Sequence, residues 1–156
     1  MGHTRGHPKS VPRGGTMSDW AEDRIKITDV MARYAAGVDN RDMEMYRSCF
    51  ADDVAVHGFG DEEVHGGDAW TEYVIEALKA YGPTQHMLGP TLATIDGDTA
   101  NCRTDVQAHH YMANDPKTTL TLWATYEQVM QKIDGEWKVK RHELVSRGVR
   151  VQTDQQ

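Results

Sequence analysis

The chain has 156 residues, enough for one domain with a single core or a sheet around a lined cavity. Its 24 Asp and Glu residues outnumber its 17 Lys and Arg residues, which gives a formal net charge of −7. An acidic chain without a basic stripe argues against nucleic acid and anionic membrane as partners. No apolar run approaches the roughly 18 residues of a membrane span. With no apolar secretory signal either, we expect a cytoplasmic protein in which Cys49 and Cys102 are reduced and buried.

The N-terminal 17 residues are rich in Gly, Pro and positive charge and offer almost nothing to bury. This composition predicts a disordered arm over residues 1–17, with Met17 as an alternative start of the domain. A single domain over 18–150 and a C-terminal tail over 151–156 complete the predicted organisation.

Three helices are predicted in the first half of the chain. Apolar residues recur with a helical period from Trp20 to Val38, and residues 19–22 resemble a capping box. A short second helix, with Asn40 as its cap, is indicated by the spacing of the apolar residues from Met43 to Phe50. The third helix covers "GDAWTEYVIEALKAYG" and ends at Gly82 and Pro83.

The remaining segments have the composition of strands. "DDVAVHGFG" and "EEVHG" predict a short strand and its hairpin partner. Asp-Gly turns at 95–98 and 133–136 predict that segments 84–95, 98–112, 118–132 and 136–150 form an antiparallel meander. The predicted class is α+β, a cone-shaped α+β barrel with three N-terminal helices packed on a strongly curved antiparallel sheet. Polar groups at the bottom of such a cone would form a pocket.

Asp39, in "AAGVDNRD", falls where the first helix should end. A carboxylate is unfavourable there, because the C-terminal end of a helix carries partial negative charge and the apolar face offers little water. Its spacing from Met31 and Ala35 points it along the stripe that faces the core. The alternative is that Asp39 caps the next helix, and position alone does not choose between the two.

Three histidines on predicted strands are candidates for the pocket. His86 shares one strand face with Thr84, and a carboxylate partner in an apolar cavity would let it act as a general base. His109 and His110 must point to opposite faces of their strand, and the alternation of apolar residues favours His110 as the inward one. The spacing of the histidines matches no metal-binding motif, and no nucleotide-binding motif is present, so no metal and no cofactor are expected.

The order of these features resembles the SnoaL-like branch of the nuclear transport factor 2-like superfamily. The resemblance rests on "ITDVMARYAAGVDNRD", "CFADDVAVHG", "TQHMLG", "IDGDTA" and "YEQVMQKIDGEWKVKRHE", and spans residues 20–148. The lyases of this family include scytalone dehydratase, hexachlorocyclohexane dehydrochlorinase and bile acid 7-alpha-dehydratase. In them an aspartate at the end of the first helix supports a histidine base on the first long strand. The resemblance maps these roles onto Asp39 and His86, and assisting roles onto Tyr34 and His110.

The resemblance implies a cofactor-independent lyase, of dehydratase or dehydrohalogenase type, or an isomerase acting on a small apolar molecule. Four aromatic residues are candidates for lining the substrate pocket: Tyr46, Phe50, Trp123 and Tyr126. A homodimer or homotrimer is also implied. The alternative is a non-catalytic module that binds a small molecule, or the small subunit of a ring-hydroxylating dioxygenase, because one fold can host many functions.

Overall fold

A computed structural model of the chain describes residues 16–154. Three helices and seven strands follow one another along these residues. They are α1 (Met17–Asn40), α2 (Met43–Ser48), β1 (Phe50–His57), β2 (Val64–His65), α3 (Gly67–Leu78), β3 (Tyr81–Leu88), β4 (Leu92–Asp96), β5 (Thr99–Met112), β6 (Thr118–Ile133) and β7 (Glu136–Thr153).

Helix α1 presents one apolar stripe to the sheet, formed by Ile27, Val30, Met31, Tyr34 and Val38. The capping box predicted at residues 19–22 is wrong. Thr16 is the N-cap, and its hydroxyl accepts a hydrogen bond from the backbone N–H of Asp19 at 3.2 Å. The Asp19 carboxylate accepts from the N–H of Thr16 at 2.9 Å, so the box begins three residues earlier than expected.

The predicted cap of α2 is also corrected. Asn40 is the last residue of α1, and the helix ends at Arg41, whose backbone is left-handed with φ 60°. Asp42 is the N-cap of α2, because its carboxylate accepts from the N–H of Met45 at 2.9 Å. Helix α2 ends at Ser48, so Phe50 begins β1 instead of closing the helix.

The seven strands form one open, curved sheet in the order β2-β1-β7-β6-β5-β3, with β4 also paired to β5. The α+β cone with helices against a curved sheet is therefore confirmed, with the addition that β1 pairs with β7 in parallel. The predicted strand over 84–95 is two strands. Pro90 has no backbone N–H to donate to a neighbouring strand. Strand β3, before Pro90, and strand β4, after it, pair with different parts of β5.

Both ends of the predicted domain can be compared with the described residues. Residues 1–15 of the predicted arm lie outside them, whereas Met17 already belongs to α1. Strand β7 continues to Thr153, so residues 151–153 of the predicted tail pair with β6. Of the helices in residues 16–154, none has the length and apolarity that crossing a membrane requires.

Close packing of α1 against α2 depends on Gly37. A Cβ atom at this position would lie 2.8 Å from the backbone nitrogen of Tyr46 and 3.0 Å from its Cα. Gly37→Ala would stabilise a free helix by roughly 1 kcal/mol. Here we expect the backbone clash to destabilise the protein by about 1–3 kcal/mol in urea unfolding.

Gly148→Ala is the matched control for Gly37→Ala, because a Cβ at Gly148 would meet no atom within 4 Å. We expect Gly148→Ala to change the free energy of unfolding by less than about 0.5 kcal/mol. If Gly37→Ala were as stable as the wild type, the close approach of the two helices would be contradicted.

Candidate functional site

Asp39 and His86 meet where the end of α1 approaches β3. Nδ1 of His86 lies 2.7 Å from Oδ1 of Asp39, and the backbone N–H of His86 donates to Oδ2 of Asp39 at 2.7 Å. The side chain of His86 is 9% exposed and that of Asp39 is 18% exposed, so the pair is largely shielded from water. The structure thus brings together the two residues that the resemblance paired, and Asp39 does not cap the next helix.

The surroundings of Asp39 keep it ionised. Burial acts to raise the pKa of the carboxyl group, but hydrogen bonds from the His86 side chain and backbone and from Thr84 outweigh it and lower the pKa. An ionised carboxylate only accepts hydrogen bonds, so Nδ1 of His86 must carry the hydrogen. The lone pair of the neutral ring is then on Nε2, the nitrogen that a general base would use.

His110 lies beside His86 on the same face of the sheet, as its predicted inward direction requires. The two rings are 5.7 Å apart between centroids and nearly perpendicular, and Thr84 of β3 pairs with His110 of β5. Nδ1 of His110 donates to the carbonyl of Leu120 at 3.3 Å, because a carbonyl can only accept. Burial and the nearby His86 ring lower the pKa of His110, which favours its neutral form.

Tyr34 lies inside a buried cluster of aromatic side chains. Its ring contacts the rings of Tyr46, Phe50 and Tyr126, with centroids 5.0, 5.8 and 5.3 Å away. All four side chains are buried, and burial raises the pKa of the three tyrosines well above the ordinary value. Tyr46, Phe50 and Tyr126 therefore form core packing beneath the dyad, and the structure does not give them the open surface of a pocket wall.

The Tyr34 hydroxyl lies within hydrogen-bond distance of a histidine that the sequence did not single out. It is 3.2 Å from Nε2 of His142, and Nδ1 of that ring lies 3.1 Å from the side-chain nitrogen of Gln128. His142 is fully buried, and burial lowers its pKa to about 3. The ring is neutral at any ordinary pH, and it belongs to the polar interior of the core.

Trp123, also predicted to line the pocket, is not brought to this site. Trp123 on β6 pairs with Gln107 on β5, which in turn pairs with Met87 on β3. These three residues alternate with the inward-facing His86, Ala108 and Leu122, so Trp123 lies on the outer face of the sheet. On that face it is partly exposed and Arg150 lies over its ring.

The sheet offers apolar surface next to the two histidines. One cross-strand row runs from His86 through Ala108 and Leu122 to Val149, and the next runs from Thr84 through His110 and Leu120 to Val151. Val149 is 57% exposed and Val151 is 61% exposed. An apolar molecule lying on these rows would reach both imidazoles. No sequence motif indicated this role for Leu120, Leu122, Val149 and Val151.

His57 and His65 meet across their Gly-rich turn through the carboxylate of Glu63. Nε2 of His65 is 2.7 Å from one oxygen of Glu63, and His57 contacts the other. Within residues 16–154 no group of three or more His, Cys, Asp or Glu side chains is arranged to hold a metal ion. Cys49 and Cys102 are free, buried thiols, as predicted.

Solved structures resemble the whole cone. A candidate scytalone dehydratase from Novosphingobium aromaticivorans is 23% identical with a TM-score of 0.79, covering 89% of this chain and 94% of that one. A type 2 hexachlorocyclohexane dehydrochlorinase is 19% identical with a TM-score of 0.82, covering 90% and 95%. A candidate aromatic ring hydroxylase from Novosphingobium aromaticivorans is 22% identical with a TM-score of 0.76, covering 86% and 94%. At these identities the likeness shows the nuclear transport factor 2-like fold.

The sequence itself matches a family model. No curated protein is significantly similar to the chain. The model of the SnoaL-like domain matches residues 19–143, which contain all three helices except the start of α1, all of β1 to β6, and the dyad. The chain therefore belongs to the SnoaL-like family.

Proposed function

We propose that the protein is a cofactor-independent lyase or isomerase that uses Asp39 and His86 as a general-base dyad. The observation that carries this proposal is the 2.7 Å contact between Nδ1 of His86 and the Asp39 carboxylate. A carboxylate bound in this way fixes the ring tautomer and stabilises the imidazolium that forms when the ring takes a proton. Positioned general bases of this kind contribute about 10²- to 10⁴-fold in rate.

The proposed reaction begins when Nε2 of His86 removes a proton from a carbon next to an activating group. In an elimination, the electron pair of the broken C–H bond forms a C=C bond, and hydroxide or halide departs from the neighbouring carbon. In an isomerisation, the electron pair forms an enolate, and the proton returns at another carbon. His110 lies beside His86, so a substrate bound to His86 also lies next to His110. The neutral His110 ring can accept a hydrogen bond from the substrate, and the protonated ring can donate a proton to the departing group.

The proposed substrate is a small apolar molecule. The aliphatic residues Leu120, Leu122, Val149 and Val151 support this, because they lie in the same cross-strand rows as His86 and His110. Tyr34 was expected to assist the chemistry, but its hydroxyl faces His142. We therefore propose that Tyr34 supports the dyad by packing and that His110 faces the substrate.

Two classes of probe test the proposed activity. Hexachlorocyclohexane and scytalone are suitable, since similar structures carry the names of enzymes acting on them. We expect chloride release, loss of water, or deuterium exchange from D₂O into an acidic C–H bond of a probe or an analogue. Absence of all three signals across a panel of small apolar carbon acids would contradict an enzyme of this type.

The alternative is a non-catalytic binding module or the small subunit of a ring-hydroxylating dioxygenase. A similar structure bears the name of an aromatic ring hydroxylase, but the likeness reaches only to the fold. A module without catalysis has no use for a shielded carboxylate bonded to both the ring and the backbone of one histidine. Copurification with a stoichiometric iron-sulfur chain would favour the alternative.

We also propose that the protein is a cytoplasmic homodimer or homotrimer. Met87, Leu92, Tyr111 and Trp123 are exposed on the outer face of the sheet and give it apolar surface for a second copy. The free thiols of Cys49 and Cys102 are compatible with the cytoplasm. Sedimentation analysis is expected to give an oligomer for the wild type and a monomer for the double variant Met87→Lys, Trp123→Lys. A monomeric wild type would contradict self-association.

A further inference from the structure

Arg41 connects the two elements that carry the dyad. Its left-handed backbone ends α1 and turns the side chain back beneath the helix. Nη1 donates to the carbonyl of Val38 at 2.8 Å, and Nη2 donates to the carbonyl of Gly82 at 2.5 Å. One guanidinium therefore joins the residue before Asp39 to the beginning of β3, and it places positive charge at the negative end of the helix.

The same guanidinium orients the hydroxyl of Thr84. Nη1 of Arg41 lies 2.9 Å from Oγ1 of Thr84, and Oγ1 lies 2.9 Å from Oδ1 of Asp39. A guanidinium can only donate, so the threonine oxygen accepts from Arg41. The single hydroxyl hydrogen is then free for Asp39, and Thr84 donates it to the carboxylate.

Asp39 consequently accepts three hydrogen bonds from β3. Oδ1 accepts from the hydroxyl of Thr84 and from Nδ1 of His86, and Oδ2 accepts from the backbone N–H of His86. This set of donors holds both oxygens in place and leaves the carboxylate fixed against the ring. Thr84 must donate here, because an ionised carboxylate can only accept, and the hydrogen bond from Arg41 holds the threonine oxygen in the position from which it donates.

We infer that Arg41 and Thr84 are positioning residues, which hold the Asp39 carboxylate in the orientation that fixes the tautomer of His86. Arg41 acts through Thr84, since its hydrogen bonds go to Val38, Gly82 and Thr84 and not to His86. The consequence for turnover rests on the proposed function. The consequence for Asp39 itself does not, and it can be measured without a substrate.

The groups facing Asp39 come from several elements. His86 lies on β3 and contacts it directly, while His110 on β5 and Tyr126 on β6 interact with it electrostatically. Arg41 reaches it through Thr84. Since the hydrogen bond from Thr84 is one of the contributions that lower the pKa of Asp39, its loss should move the titration of this carboxyl group upwards.

Carbon-13 NMR of protein labelled at aspartate carboxyl carbons tests this inference, with the signal of Asp39 identified by its absence in Asp39→Asn. Thr84→Val keeps the shape of the side chain and removes the hydroxyl. We expect it to raise the titration midpoint of Asp39 by about one pH unit, the size associated with losing one hydrogen bond to a charged group. Thr84→Ser restores the hydroxyl and is expected to return the midpoint to the wild-type value.

Arg41→Gln tests the other half of the inference. It removes the fork that fixes the Thr84 hydroxyl, so we expect an upward shift in the same direction and roughly half as large. Lys79→Gln is the matched control, because Lys79 is exposed in the same shallow cleft as Arg41 and pairs with Glu76. It removes the same charge and is expected to leave the midpoint of Asp39 unchanged.

Turnover gives a second readout once a substrate is found. Thr84→Val and Arg41→Gln are each expected to lower kcat about tenfold with little change in KM, because positioning affects the reaction more than substrate binding. Unchanged Asp39 midpoints in both variants would overturn the positioning role. Absence of turnover in the wild type would instead count against the proposed function and leave the NMR result standing.

Discussion

Replacement of His86 by alanine is expected to lower kcat/KM by about 10³-fold, because the variant has no group to accept the proton from carbon. Asp39→Asn should lower it by about 10²- to 10⁴-fold, since an amide can present its NH₂ group to Nδ1 and favour the opposite tautomer. The 2.7 Å contact joins two side chains that are largely shielded from water, so solvent cannot readily replace either partner. Rates are to be measured with whichever probe the wild type turns over.

His109→Ala is the matched control for these variants. His109 is adjacent to His110, but it lies on the outer face, where its Nδ1 is 2.8 Å from the hydroxyl of Thr121. We expect this variant to retain at least about half of the wild-type kcat/KM, because its side chain does not reach the dyad. Circular dichroism should show that all three variants are folded. Full activity in both His86→Ala and Asp39→Asn would remove the dyad from the mechanism.

The second large effect concerns stability in acid. His142 has a pKa of about 3 in the folded protein, while an unfolded histidine titrates near 6.5. Between these values the unfolded chain binds one more proton than the folded chain, so the free energy of unfolding rises with pH. The contribution of His142 is fully present above about pH 6.5 and is lost as the pH falls towards 3. It amounts to about 2 kcal/mol between pH 7 and 5, and to no more than about 5 kcal/mol in total.

Urea unfolding of His142→Gln at pH 7 and 5 measures this contribution. Glutamine keeps hydrogen-bonding capacity but does not titrate, so we expect the free energy of unfolding to lose about 2 kcal/mol less between the two pH values than in the wild type. The control is His65→Gln, whose imidazole is largely exposed. The lowered pKa of His110 also makes the free energy of unfolding rise with pH, but it does so equally in every variant. The lowered pKa of Asp39 affects stability only below the range from pH 5 to 7. An unchanged pH slope in His142→Gln would contradict a neutral buried ring.

The helices and hairpins of this fold could be predicted because their signals are local. The α1 stripe and the two Asp-Gly turns depend on residues within one or two turns of one another. The caps were harder to predict, because Thr16, Asp19, Asn40 and Asp42 are all residue types that cap helices well. Which of them does so depends on where the chain turns, and at Arg41 it turns through a left-handed conformation that favours glycine.

The interior of the cone shows why part of the site could not be predicted. In "WKVKRHEL" a strict period of two places His142 on the face opposite Trp137 and Val139. The structure pairs Met130 with Val139 and Val129 with Arg141, so Lys140 is an extra residue and the side chains that follow it change face, up to the next register shift after Ser146. This bulge turns His142 inwards towards Tyr34. The sequence of residues 136–144 alone does not predict this bulge.

The pairing of Asp39 with His86 spans 47 positions, and periodicity could only show that each residue pointed towards the core. The family resemblance supplied the partner. The same period of two that placed Thr84 on the face of His86 could have suggested its contact with Asp39. The part played by Arg41 depends on three-dimensional contacts with Val38, Gly82 and Thr84, and no sequence pattern encodes it.

The most direct test of the dyad is the tautomer of His86 in the protein without substrate. Nitrogen-15 NMR of histidine-labelled protein at pH 8, with His86 assigned by its absence in His86→Gln, identifies which ring nitrogen carries the hydrogen. The Asp39 contact requires hydrogen on Nδ1 and a lone pair on Nε2. In Asp39→Asn this preference should be weakened or reversed. A wild-type ring with its hydrogen on Nε2 would show that Asp39 does not hold His86 as a base, and would contradict the proposed mechanism.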